Sequence, residues 1–575
     1  MVMHQFLKKY STESRPPFSP FWLAFWSCGL AIGWLLPNHY YPWIAFHFDA
    51  WIACGLALAA GVVLLRTHQV IIIHRFALIS IIVALIPFVQ KEFHLIQFSG
   101  QAWISSSFLI GFFISLVIGA HWELLSPGQA IDGIFTSIGI ASIISVGLQI
   151  YQWLGISVQG MDLWIMNDEN HRPFGNFIQP NQLATFLCWG IIACAWGTAR
   201  KKINWKTAVF ISAYFIFGVA LTQSRTGFFT IIGLMGATFF WRDLWPEKKS
   251  TWIVFGIVIY YLVCILTIPI ISNIFSVEET SNLLNRSERE LRIPAYKLFI
   301  DAIVHKPFLG YGWGQTAKAQ IAVAELHPKL GPIFMQAHNL FLDLFIWCGI
   351  FIGGLISLNI IIWFAGKVNK VKNSEEAILI FFIAIVGWHA MLEFPLHYAY
   401  MLLPTGLVIG VVNQKMSEPV SLKIKKWQFF FFLMSSIILL LVIITDYIKI
   451  ESDFSNLRFE RAGIGGKSTA PQSNIIILDH LEEFIKLGRT TAKENMTDIE
   501  ITNMEESAYA FPSPTNMFNL AVAFSLNNKK EKAQLLVKKI GKITTKDQYR
   551  EIRIAWENLE KEKKDLQNIS WDLNP

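Results

Sequence analysis

Charge is what this 575-residue sequence has little of: 15% of its residues are Asp, Glu, Lys or Arg, against about 25% in an ordinary soluble domain. With a 53% hydrophobic content and a mean hydropathy of +0.44, that scarcity excludes a water-soluble globular protein and defines an integral membrane protein. Cysteine is scarce too. Cys28, Cys54, Cys188, Cys194, Cys264 and Cys348 all fall inside apolar runs with no C-x-x-C, so they read as small packing residues rather than disulfide partners or metal ligands. No small-residue cleavage site follows the first apolar stretch, which sits behind a basic N-terminus and reads as a retained anchor. The net charge of +7 is modest, comes largely from loop lysines and arginines, and gives no argument for nucleic acid.

What the chain has in abundance is apolar sequence in spanning lengths. Runs of about 18 to 25 residues, enough to cross roughly 30 Å of hydrocarbon, lie near 18–36, 43–65, 70–90, 102–121, 131–156, 181–199, 205–222, 226–242, 252–275, 338–364, 377–395, 397–413 and 428–445, about thirteen spans. Basic clusters at Lys8/Lys9/Arg15, Arg66/Arg75, Arg200–Lys202, Arg242/Lys248/Lys249, Lys367–Lys372 and Lys415–Lys426 then share one side, the cytoplasm by the positive-inside rule. The segments 157–180, 276–337 and 446–575 are expected on the other side.

Domain organisation follows: a membrane domain over 1–445 with an extracytoplasmic loop at 276–337, and a separate water-soluble domain of about 130 residues over 446–575. Within that domain, 516–540 reads as two amphipathic helices joined at Asn527-Asn528-Lys529. The hairpin resembles a single tetratricopeptide unit, and it suits either a docking surface or a spacer at the exit face.

Five polar constellations interrupt the apolar sequence. The loop Asn170-His171-Arg172-Pro173-Phe174-Gly175-Asn176-Phe177-Ile178-Gln179-Pro180-Asn181 offers amides and a guanidinium to sugar hydroxyls or phosphate, or else it satisfies its own backbone, with Asn181 able to cap the next helix. Arg225, in Thr222-Gln223-Ser224-Arg225-Thr226-Gly227, either snorkels to headgroups or binds a substrate anion. The large loop carries Arg286, Arg289 and Arg292, whose planar guanidinium groups suit bidentate phosphate binding, although Arg286 and Arg289 read as the more structural of the three. Its Lys306-Pro-Phe-Leu-Gly310-Tyr311-Gly312-Trp313-Gly314 run would let backbone approach a ligand closely, and it lacks the strand and helix that a nucleotide loop requires. The loop ends at His338-Asn339, where an imidazole can take a proton from a hydroxyl or simply sit at the interface as a helix cap. Finally His389, Glu393 and His397 stand at i, i+4, i+8. With Pro395 between them and no H-E-x-x-H, they favour a structural hairpin with an ion pair over a metal site.

Taken in order, Arg-Pro-Phe-Gly-Asn-x-x-Gln-Pro-Asn at 172–181, Ser-Arg-Thr-Gly at 224–227, Arg292 four residues before Tyr296, the 306–314 run, Ala337-His338-Asn339 and Glu393-Phe-Pro-Leu resemble the O-antigen ligase superfamily. Within it they are most similar to the bacterial PglL-type protein O-oligosaccharyltransferases. The resemblance covers about 170–410 and departs at Tyr296, where tryptophan is more usual. It implies an all-α, GT-C-like polytopic helical bundle in the bacterial inner membrane, with the active site and the C-terminal helical domain periplasmic. The implied activity is metal- and cofactor-independent transfer of a preassembled glycan from undecaprenyl diphosphate to Ser or Thr of a pilin-like or more general protein acceptor. His338 is then the expected base, and Arg225 and Arg292 the expected stabilisers of the diphosphate. Arg172, Asn176, Gln179, Asn181, Arg289, Tyr311, Trp313, Asn339 and Glu393 are expected to bind substrate. O-antigen ligation or polymerisation would need the same donor and a different acceptor, and a transporter is the non-enzymatic alternative. Polar groups gathered at one face and the lack of an internal repeat count against transport.

Overall fold

The computed structural model describes residues 16–166, 172–177, 179–245, 249–274, 288–464, 474–567 and 569–571. Helices α1 (Pro20–Ile32) and α2 (Phe46–Arg66) precede strand β1 (Val70–His74), followed by α3 (Arg75–Val83), α4 (Ile86–Glu92), α5 (Ser99–Leu125), α6 (Gln129–Trp153), α7 (Pro180–Ala199), α8 (Trp205–Leu221), α9 (Arg225–Phe240) and α10 (Lys249–Ile274). The polar segment contributes α11 (Glu288–His305) and α12 (Thr316–Val323), and the chain returns to apolar sequence in α13 (Leu340–Val368), α14 (Ser374–Ala390) and α15 (Ala399–Lys415). After β2 (Val420–Lys425), the long α16 (Lys426–Arg461) leads to α17 (Asp479–Arg489), α18 (Asp498–Ala510), α19 (Pro514–Leu526), α20 (Lys530–Ile543) and α21 (Lys546–Glu562).

This is an all-α membrane protein. Among the described residues, seven helices are long and apolar enough to cross a bilayer: α2, α5, α6, α7, α10, α13 and α16. Helices α1, α8 and α9 are apolar but shorter. One continuous core between the helices buries Trp26, Trp34, Trp122, Trp189, Trp196 and, from α14, Phe382.

Two local features depart from the sequence reading. The run at 70–90 is not one helix. Its β-branched start, Val70-Ile71-Ile72-Ile73, pairs antiparallel with β2 in the register Val70↔Lys425 to His74↔Val420, and Pro87, in the first turn of α4, separates that helix from α3. The ribbon brings Arg66 and Arg75 beside the 415–426 lysines, and the Lys426 ammonium donates to the carbonyls of Leu65 and Thr67, so these basic clusters do share a side. Helix α16 runs unbroken through 445/446, the position expected to divide the chain. Beyond it, the buried Asp446 carboxylate accepts from the backbone of Ile476, Ile477 and Leu478 and ties the chain back to the helix.

The hairpin expected at 516–540 forms as α19 and α20. Asn527 and Asn528 make the turn, Asn528 at φ 61°, and the Asn527 amide donates to Ala523 and Lys493 carbonyls. Its core of Met517, Leu520, Phe524, Leu536, Ile540 and Trp556 also takes in Ile321 and Ala324 from the polar segment. The C-terminal helices thus pack on the loop that leads to His338.

Candidate active site

Three loops converge at Glu393, in the turn between α14 and α15. The first precedes α7. Arg172 is buried there and donates from Nε and Nη2 to the carbonyl of Thr222, 3.2 and 2.9 Å, and from Nη2 to that of Gln223, 3.3 Å. Those carbonyls belong to the tight turn that opens α9, where Ser224 caps the helix through the Gly227 amide and Arg225, half-buried, is the first helical residue. Arg172 therefore positions the loop that carries Arg225. Two glutamines of α6 cradle the same loop: Gln149 donates to the Pro173 carbonyl, and Gln152 accepts from the Phe174 and Gly175 amides.

Asn176 is spent on the fold. Its amide donates to the carbonyls of Leu35 and Trp164, and its oxygen accepts from the Met166 amide, so this buried side chain, expected to bind substrate, directs its hydrogen bonds to backbone. Asn181 does not cap α7 either. It lies one residue inside the helix and donates to Glu393 Oε1 at 3.2 Å, while Gln179 reaches Oε2 at 3.5 Å.

The second loop is the polar segment. On α11, Arg292 Nη2 lies 2.8 Å from Glu393 Oε1, and one turn on, the Tyr296 hydroxyl donates to the His338 carbonyl at 3.2 Å. Burial raises the Tyr296 pKa, the Glu393 charge adds to the rise and Arg292 opposes it, so the phenol stays protonated as a donor. Arg286 lies outside the described residues, as does the side chain of Arg289, so neither is placed against the site.

The close approach expected of the 306–314 run is made to the protein's own backbone. Helix α13 breaks at Gly349, φ 74° and ψ 177°, and the loop docks into the break. Tyr311 and Gly312 amides donate to the carbonyls of Ile346 and Trp347, and the Ile350 amide donates to that of Pro307. A Cβ on Gly310 would sit 2.5 Å from the Ile346 carbonyl oxygen, and one on Gly349 2.3 Å from that of Phe308, which is why both must be glycine. Tyr311 is buried in this joint, with His305 against its hydroxyl. In this structure its contacts are packing contacts within the joint.

The third element is the start of α13. Asn339 caps it, accepting from the Phe341 and Leu342 amides and donating to the Met391 carbonyl. His338 precedes it at φ 54°, a left-handed conformation that costs a non-glycine residue about 1–2 kcal/mol and so must be held. Tyr296 holds its carbonyl, and Asp343 Oδ1 holds the neighbouring Ala337 amide and the Thr316 hydroxyl, each at 2.9 Å. Asp343 stood in the sequence only as the end of the His338–Asp343 motif, and Thr316 was not singled out.

His338 Nδ1 meets Glu393 Oε2 at 2.9 Å. A carboxylate there accepts a hydrogen bond from Nδ1–H, the tautomer of a neutral imidazole whose Nε2 keeps its lone pair. The rings of Phe334 and Phe394 stand edge-on to the imidazole. Glu393 is only 5% exposed, against 27% for the His338 and 34% for the Arg292 side chain, so the acid is the buried hub and its two partners lie nearer the surface. His389 and His397 do not join it: His389 bonds Thr185, and His397 packs on Trp347.

Beside this hub lies a cavity of about 1130 Å³. Gln336 and Leu340, which flank His338, line it with Met391, Trp313 and His397, and Phe229, Ile360, Phe364 and Phe381 continue it between helices. Trp313 is the one aromatic of the 306–314 run placed on the cavity, held by its amide bond to Gln90.

Comparison with known proteins gives the chain's relatives. Family profiles match in chain order: protein glycosylation ligase over 173–196, O-antigen ligase over 208–358, and the C-terminal part of a virulence factor membrane-bound polymerase over 378–558. The chain is 27% identical over 536 residues to the general O-oligosaccharyltransferase of Acinetobacter baylyi, covering 90% of this chain and 91% of that protein. It is 29% identical over 333 residues to the ComP-specific O-oligosaccharyltransferase of the same organism, covering 58% and 60%. These matches make it a membrane glycosyltransferase of the oligosaccharyltransferase class. Within that class they bear out the resemblance to the PglL-type enzymes of the O-antigen ligase superfamily.

Proposed function

We propose that this chain transfers a preassembled oligosaccharide en bloc from undecaprenyl diphosphate to a Ser or Thr hydroxyl of extracytoplasmic proteins. The observation that carries the reading is the single carboxylate of Glu393, which binds both Arg292 and His338 beside a long apolar cavity suited to the polyprenyl chain.

In this mechanism the acceptor hydroxyl oxygen attacks the anomeric carbon on the face opposite the diphosphate. The C1–O bond to phosphate breaks, its electron pair leaves with the diphosphate, and the hydroxyl proton passes to His338 Nε2. One displacement inverts the anomeric centre. Glu393 keeps the imidazole in the required tautomer and stabilises the imidazolium that forms. Arg292 spends part of its fork on Glu393, and its remaining N–H groups, with Arg225, face the charge that develops on the leaving diphosphate; arginines rather than a metal ion fill that role. Gln179, Asn181 and Asn339, polar groups around the same acid, would contact the glycan or acceptor with Arg289 and Trp313.

The reading carries a topology: about thirteen crossings of the bacterial inner membrane, with α11, Glu393 and the helices beyond 446 on the periplasmic side. There the C-terminal helices would act as a periplasmic domain that braces the loop ending at His338. A second reading keeps the donor chemistry and changes the acceptor to a glycan, favoured by the O-antigen ligase and polymerase profiles. Intact-mass analysis of periplasmic proteins from cells with and without the chain separates them. Loss of a glycan mass from one or more proteins supports protein transfer, and unchanged protein masses with altered surface polysaccharide overturn it.

A further inference from the structure

The outward side of α11 has no place in the transfer chemistry. Ala295, Leu298, Phe299 and Ala302 bury one face of the helix against α13. The opposite face presents Ile293, Ile300 and Val304, 65%, 53% and 68% exposed, and the following turn presents Phe308 and Leu309, 69% and 53% exposed. In water this stripe would be an unfavourable apolar patch.

Its position relative to a bilayer is fixed by α13. After the break at Gly349, the stretch from Ile350 to Val368 rises about 28 Å at ~1.5 Å per residue, close to the ~30 Å hydrocarbon thickness, so the break marks the membrane edge. Phe308 stacks on Phe351 with ring centroids 6.0 Å apart, and Phe351 begins the exposed apolar side of that span with Leu355 and Ile362. The stripe on α11 therefore continues the lipid-facing surface of α13. On the other flank Leu85, Val89 and Phe93 expose a second apolar row along α4.

Two lysines stand between these rows. Lys318 Nζ donates to the Leu95 carbonyl just beyond α4, and Lys306 lies 5.0 Å from the centre of the Tyr311 ring. Burial and the neighbouring charge of Lys306 both lower the Lys318 pKa. Like charges side by side at a membrane edge, above apolar rows on both flanks, fit a phosphate-bearing headgroup whose acyl chains lie along those rows.

We propose that α11 and the 306–309 turn dock in the bilayer interface, and that Lys306 and Lys318 hold the phosphate of an anionic phospholipid there. Native mass spectrometry of the full chain, delipidated and offered phosphatidylglycerol or phosphatidylcholine, tests the headgroup site. Wild type should retain phosphatidylglycerol preferentially, and K306Q/K318Q should reduce that retention about tenfold; equal retention of the two lipids by wild type, or an undiminished preference in the variant, overturns the site. A nitroxide at Val304→Cys in vesicles, with Cys28 and Cys54 replaced by Ser, tests the docking. It should collide more with oxygen than with a water-soluble nickel chelate, the reverse of a label at Ile554→Cys on α21, and a pattern like that of Ile554→Cys overturns it. Neither readout requires transfer, so the result stands apart from the proposed activity.

Discussion

Replacing Glu393 by glutamine changes one oxygen to an amide nitrogen where every described neighbour donates. Arg292, Asn181, Gln179 and His338 all direct N–H groups at the carboxylate, at 2.8, 3.2, 3.5 and 2.9 Å. If the new amide nitrogen faces Arg292, two donors oppose each other and the guanidinium loses its partner. If it faces His338, Nδ1 must become the acceptor, the ring proton moves to Nε2 and the base is lost. Each charge-assisted bond is worth about 1.5–3 kcal/mol, but Arg292 is a third exposed and regains water, so the loss of stability should be at the lower end for that bond. The catalytic loss should be larger, since a positioned general base contributes about 10²- to 10⁴-fold. The assay is the initial rate of transfer from a lipid-linked donor to a serine-bearing acceptor by purified protein, with thermal unfolding in parallel. Glu393→Gln should lose at least about 10²-fold in rate, roughly 2.7 kcal/mol, while remaining folded. A folded variant within threefold of wild type would refute the hub.

Two other predictions concern how His338 is held. Gly310→Ala and Gly349→Ala each push a Cβ into backbone oxygen and force a left-handed alanine, so each should cost at least about 2 kcal/mol, read as a lowered thermal midpoint; an unchanged midpoint would mean that the loop does not dock in the break of α13. Asp343→Asn keeps an oxygen for the Ala337 amide and Thr316 hydroxyl and should stay within about tenfold of wild-type transfer, whereas Asp343→Leu strands both donors at about 1–3 kcal/mol each. Equal loss in the two would assign Asp343 an electrostatic rather than a positioning role.

Seven of the expected spans were legible because continuous apolar sequence has few other uses, and α7, predicted at 181–199, appears as Pro180–Ala199. The Asn527 turn and the opening of a helix after His338-Asn339 were legible for local reasons, since turn and capping chemistry is written in adjacent residues. The hub was legible only as separate parts. Glu393 gathers residues from before α7, from α11 and from before α13, and no periodicity connects them. The glycine-rich run was legible in part for a related reason: glycine signals close approach of backbone, and the backbone partner, a broken helix about 40 residues on, is not written beside it. The strand at 70–74 was hidden in an apolar run because its partner, β2, lies some 350 residues away.

The central claim is that His338 Nε2 takes the acceptor proton while Glu393 holds Nδ1. Its most direct test is transfer by purified His338→Ala, with lipid-linked donor binding measured on the same preparation. Donor binding should stay within a few-fold of wild type while glycan transfer to the acceptor falls at least about 10²-fold. Transfer at the wild-type rate by the folded variant would contradict it.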